Sequence, residues 1–118
     1  MIAADARSLL LADRREVESA ISAATTQLET LISSHRDVAA DDEHDPEGPT
    51  VSIQRAELTA MLRQSREHLS AVDAALGRLD DGTYGQCSSC GREIPAARLQ
   101  ARPFAHRCVT CAAREERS

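Results

Sequence analysis

Four cysteines stand in two pairs, Cys87-x2-Cys90 and Cys108-x2-Cys111, with seventeen residues between the pairs. No other feature restricts the fold as tightly. Two residues between ligands let both thiolates of a knuckle point at one ion, and Gly91 directly after Cys90 permits the tight turn. Two such knuckles complete a tetrahedral shell of four sulfurs at about 2.3 Å from a zinc ion. The spacing falls in the range of zinc ribbons and treble clefts. Four protein ligands leave no open position for water, so one structural rather than catalytic Zn²⁺ is predicted. In a segment too small to hold itself together, metal-binding energy is folding energy. A single C-x-x-C would keep a redox disulfide in play, whereas two at this separation favour zinc. His106, two residues before Cys108, is left out of the ligand set because four cysteines already complete it.

The rest of the chain must fold almost without large rings, since its 118 residues include one Phe, one Tyr and no Trp. A compact globule of this length would bury several, because rings supply so much apolar area. Ala, Leu, Val and Ile instead suit a long helical seam. From about residue 5 to 38, Leu10, Val17, Ile21, Ala24, Leu28, Leu31 and Val38 step by alternating fours and threes once Arg14 and His35 fill the gaps. DDEHDPEGP at 41–49 then ends any helix with two prolines and a glycine. A second seam follows in Leu58, Leu62, Ser65, Leu69, Val72, Leu76 and Leu79. Thr50 or Ser52 is the predicted N-cap, and Asp80-Asp81-Gly82 the predicted stop. Gly77 inside the pattern costs about 1 kcal/mol relative to Ala and would loosen the last turn.

Folding back at the Pro/Gly turn brings the seams together in either of two registers. One pairs Leu31 with Leu62 and Val17 with Leu76. The other, half a heptad away, pairs Leu28 with Leu58 and Ala24 with Leu62. Sequence does not choose between them, but both set the apex between about 43 and 47, inside the acidic run. The predicted class is all-α: a long antiparallel helical hairpin (coiled coil) over 1–81, and a small four-cysteine zinc-finger module with a short C-terminal helix over 82–118. Shorter helices of a three- or four-helix bundle are the alternative, disfavoured by the narrow stripes and the lack of a third long helix.

Charge is polarised along this layout. Between 37 and 47 lie six carboxylates (Asp37, Asp41, Asp42, Glu43, Asp45, Glu47) and no Lys or Arg, while 85–118 carries six Arg against three Glu. A net charge of −5 speaks against a general nucleic-acid binder, which needs clustered cations for phosphate. Arg92, Arg98, Arg102 and Arg107 could meet phosphates, but few rings are present to stack on bases. No apolar stretch approaches the roughly 20 residues that span a bilayer. The opening MIAADARSLLLADRRE is broken by Asp and Arg and lacks a signal-peptide core. A cytoplasmic location is expected, where thiols stay reduced. Nothing resembles a nucleophile with its base, a phosphate loop or an open metal site, so an enzyme is not predicted.

The stretch 82–111, GTYGQCSSCGREIPAARLQARPFAHRCVTC, resembles the zinc module of the DksA/TraR family. The likeness rests on Tyr84-Gly85, Cys90-Gly91, Ile94-Pro95, Arg98-Leu99, Ala101-Arg102-Pro103 and Cys108-Val109-x-Cys111. It implies a bacterial transcription regulator that binds RNA polymerase rather than promoter DNA. In that family the hairpin enters the polymerase secondary channel, and acidic tip residues approach the catalytic centre. For this chain the tip set is Asp41, Asp42, Glu43, Asp45 and Glu47. For some members the alarmone ppGpp acts at the polymerase interface. The best-known members carry D-x-x-D-x-A at the tip; here Asp42-x-x-Asp45-x-Glu47 keeps both aspartates and puts Glu47 in place of Ala. From a different class, the same residues would serve a zinc-stapled coiled-coil adaptor for another protein, or a nucleic-acid-binding zinc finger.

Overall fold

The computed structural model describes residues 3–41 and 49–117. Its elements in chain order are α1 (Ala3–Asp41), α2 (Pro49–Asp81), α3 (Ala96–Ala101) and α4 (Val109–Arg117). Among the described residues no strand occurs, only an isolated antiparallel bridge between Gln86 and Glu93. α1 and α2 form the antiparallel hairpin, and the four cysteines follow it. The all-α class expected from the heptads is the one observed.

Contacts divide the chain into two compact units, Met1–Arg15 with Leu69–Ser118, and Glu16–His68. In the first, Leu10, Val72 and Ala75 are fully buried, and Leu76, Leu79, Tyr84 and Phe104 pack against them. The chain's single Tyr and single Phe are thus both spent on the base of the hairpin. Arg14 Nε donates to Asp73 Oδ1 at 2.7 Å, and an Arg7 guanidinium nitrogen donates to Asp80 Oδ1 at 2.8 Å. These pairs select the register. With Leu28 opposite Leu58, Arg14 falls opposite Val72, next to Asp73. With Leu31 opposite Leu62, it would face Leu79 instead.

In the second unit Val17 and Ala24 of α1 and Leu62 of α2 are buried, with Ile21, Leu28, Leu31 and Leu58 half-buried beside them. Gln27 and Leu31 share a cleft with Gln54, Leu58 and Met61, in keeping with the same register. Burial of the seam residues is what turns two helices of modest propensity into a stable pair. Among the described residues, no helix is long and apolar enough to cross a membrane.

The ends of α2 show one correction. Its first residue is Pro49, so Thr50 and Ser52 lie inside the first turn and are not N-caps. Proline suits that place, because its fixed φ is helical and its missing N–H would have no intrahelical partner. The stop is as expected. Gly82 takes φ +80°, and the Thr83 N–H donates to the Arg78 carbonyl at 2.9 Å, the long bond of a Schellman motif. Thr83 Oγ1 also donates to Asp81 Oδ1 at 2.6 Å. Gly77 does not interrupt α2, which runs on to Asp81. Of the acidic tip set, Asp41 closes α1, while Asp42, Glu43, Asp45 and Glu47 lie outside the described residues.

Candidate metal centre

Past Gly82 the chain makes a tight hairpin that presents the first cysteine pair. The Ile94 N–H donates to the Gly85 carbonyl at 2.7 Å and the Cys87 N–H to the Arg92 carbonyl at 2.8 Å. The Gly91 N–H reaches back to the Cys87 carbonyl at 2.9 Å. Gly85 and Gly91 have φ of +87° and +75°, left-handed values that explain why glycine follows the knuckle at Gly91. Pro95 then opens α3, an element the heptad reading did not anticipate because six residues are too few to show a period. Its Leu99 joins Cys87, Ile94 and Ala105 in a small core, with Tyr84, Cys108 and Cys111 packed against it.

The second pair sits at the start of α4. Cys108 precedes the helix and Cys111 lies in its first turn, where the Ala112 N–H donates to the Cys108 carbonyl at 3.0 Å. The predicted short C-terminal helix begins within the second knuckle itself, at Val109. An Arg107–Glu115 ion pair ties it to the residues ahead of it.

The four Sγ atoms all lie within 4.8 Å of one another. Cys90 and Cys108 Sγ are 3.9 Å apart. A tetrahedron with bonds of about 2.3 Å has sulfur–sulfur edges of about 3.8 Å, so the cluster has the size one zinc requires. Cys87 is buried, Cys108 and Cys111 are half-buried and Cys90 is exposed. Hydrogen bonds from the Cys108 and Cys90 backbone draw the Cys87 thiol down to about 6. The Cys111 backbone lowers Cys108, and the side-chain hydrogen bond with Cys108 pushes Cys111 up to about 12. Crowded thiols divide their protons unequally in this way; a zinc ion among them would take all four as thiolates.

His106 is occupied elsewhere. Its Nδ1 is 3.0 Å from Ser88 Oγ, and its carbonyl accepts from the Ser88 N–H at 2.8 Å. Burial, then the charges of Arg107, Arg78 and Arg98, hold its pKa below the usual imidazole value. Arg78, Tyr84 and Arg98 bind the loop beside it. The sequence marks Tyr84 and Arg98 through the family likeness, and Arg98 as a candidate phosphate contact, but not Arg78. Nothing local marks Arg78, whose role shows only where its guanidinium meets the Phe104 carbonyl.

Fold and site together define a class: a two-helix hairpin that carries a C4-type zinc module after its second helix. Residues 82–117 match the prokaryotic dksA/traR C4-type zinc finger. The RNA polymerase-binding transcription factor DksA of Caulobacter vibrioides is 36% identical over 108 residues, covering 92% of this chain and 71% of that protein. The Haemophilus influenzae protein of the same name is 35% identical over 69 residues, 56% of this chain and 48% of its own length. General stress protein 16O of Bacillus subtilis is 38% identical over 68 residues, 58% of this chain and 42% of that one. The structure of transcription factor DksA2 from Pseudomonas aeruginosa superposes with a TM-score of 0.78 at 28% identity, covering 98% of this chain and 83% of that one. The chain belongs to the DksA/TraR family, and its module carries one structural zinc ion.

Proposed function

We propose that this protein is a regulator of transcription that binds RNA polymerase and inserts its hairpin into the secondary channel to modulate initiation. The observation that carries the reading is the agreement of the whole architecture: the likeness to the Caulobacter factor runs through hairpin and zinc module alike, over 92% of the chain. Cys87, Cys90, Cys108 and Cys111 are the four zinc ligands, supported by their convergence within 4.8 Å. In function the chain divides into a hairpin over 1–81, which reaches, and a module over 82–118, which anchors. Asp41, Asp42, Glu43, Asp45 and Glu47 approach the polymerase centre, where carboxylates would meet Mg²⁺ and basic side chains. The Arg-bearing module meets an acidic rim. The protein does no chemistry of its own, acts in the cytoplasm where the polymerase works, and responds to ppGpp at the polymerase interface.

The test is co-purification with the core enzyme and transcription in vitro, with and without ppGpp. Binding to the core enzyme together with altered initiation is the expected result. Asp42→Asn with Asp45→Asn should abolish the effect on initiation while leaving polymerase binding intact. A chain that neither binds the core enzyme nor alters initiation is not such a regulator.

A further inference from the structure

Residues 102–107 join α3 to the second cysteine pair without helix or strand, yet almost every carbonyl along them is captured. Arg102 O accepts from the Ala105 N–H at 2.9 Å, and His106 O from the Ser88 N–H at 2.8 Å. The other three donors are side chains from three separate places. Tyr84 Oη donates to Pro103 O at 2.8 Å, a terminal Arg78 nitrogen to Phe104 O at 3.3 Å, and Arg98 Nε to Arg107 O at 2.8 Å. All three are partly buried bonds, and two of the donors are charged, which strengthens them.

We propose that Arg78, Tyr84 and Arg98 are positioning residues for the zinc site: by clamping 103–107 they hold Cys108 and Cys111 opposite Cys87 and Cys90. The physical reason is entropic. The two ligand pairs are seventeen residues apart, and a slack connection would have to be ordered each time the metal binds. Carbonyls fixed in advance remove that cost, so the ion is released more slowly. Arg78 belongs to α2, so one clamp links zinc retention to the base of the hairpin, within the same compact unit. Tyr84 does so a second way, since its ring packs on both the module core and the Leu10–Val72–Ala75 cluster.

The experiment is zinc release from the full-length, zinc-loaded protein into an excess of a chromophoric chelator, with circular dichroism to confirm that each variant is folded. Arg98→Ala and Tyr84→Phe should each release zinc about tenfold faster than the parent, the usual scale for losing an outer-shell partner. Arg78→Gln should act in the same direction. Arg98→Lys, which keeps a donor, should recover part of the loss. Tyr84→Phe retains the packed ring and so keeps the fold while losing only the hydroxyl. Leu62→Ala is the control, because it opens a cavity in the other unit and lowers stability without touching the clamp. It should release zinc at the parent's rate. Parent-like release from both Arg98→Ala and Tyr84→Phe would overturn the proposal, and so would equal acceleration by Leu62→Ala, which would trace the effect to stability alone.

Discussion

Tyr84 shows how much one side chain can carry in a chain so poor in rings. Burial raises its pKa above 10.0, with the nearby Arg78 charge pulling partly the other way. Only the protonated phenol can donate to Pro103 O, so the folded state holds the proton more tightly than the unfolded one. Its contribution is therefore present below pH 10 and is lost as pH rises through the higher folded value. Since this is the single tyrosine, an ultraviolet titration reads it directly. The midpoint should lie above that of the denatured protein; a coincident midpoint would contradict the buried hydrogen bond. Two glycines give a contrast. A Cβ at Gly77 meets nothing within 4 Å in a helix interior, so Gly77→Ala should stabilise by about 0.5–1 kcal/mol. Gly82 also has open space but sits at φ +80°, so Gly82→Ala should cost about 1–2 kcal/mol. Urea midpoints for the two variants should move in opposite directions.

Among the helices, stability resides in the seam. Leu10 is fully buried against α2, whereas Ile53 is 58% exposed. Leu10→Ala should cost about 2–5 kcal/mol through lost transfer and a residual cavity, while Ile53→Ala should stay within about 0.5 kcal/mol. Denaturant unfolding decides it: equal losses at the two sites would mean the seam is not the core. The Arg14–Asp73 pair lies at side-chain exposures of 38% and 48%, where an ion pair is worth about 0–1 kcal/mol. It marks the register rather than supplying much strength, and Arg7–Asp80 repeats the same alignment seven residues away. Ala6 and Ala75 are buried as well. The heptad count passes over both, since alanine is as common on an exposed helix face as on a covered one.

Across the whole molecule the metal and the heptads support different parts. The Glu16–His68 unit contains no cysteine, and α3 and α4 are short beside the 39 and 33 residues of α1 and α2. Chelating the zinc should therefore unfold the 82–117 module and release protease-sensitive sites there, while most of the far-ultraviolet helical signal persists. Loss of most of that signal would mean the hairpin depends on the ion. The split follows from the two kinds of glue: long helices bury a continuous apolar seam, while a segment of about 35 residues cannot bury enough without a staple.

Local pattern was sufficient wherever a residue's neighbours in sequence are also its neighbours in function. C-x2-C spacing places two thiolates on one knuckle, four-and-three steps place apolar residues on one stripe, and Gly82 ends a helix by its own backbone. The cysteine cluster, the paired helices and the stop were therefore legible before any coordinates. Register was not, because sliding one heptad seam past another by half a repeat still sets apolar residues against apolar residues. The choice fell to Arg14–Asp73 and Arg7–Asp80, pairs 59 and 73 residues apart. Nor was the carbonyl clamp legible, with donors 26, 19 and 9 residues from the carbonyls they hold. A backbone oxygen carries no mark of residue type, so only the folded chain shows which side chain reaches it.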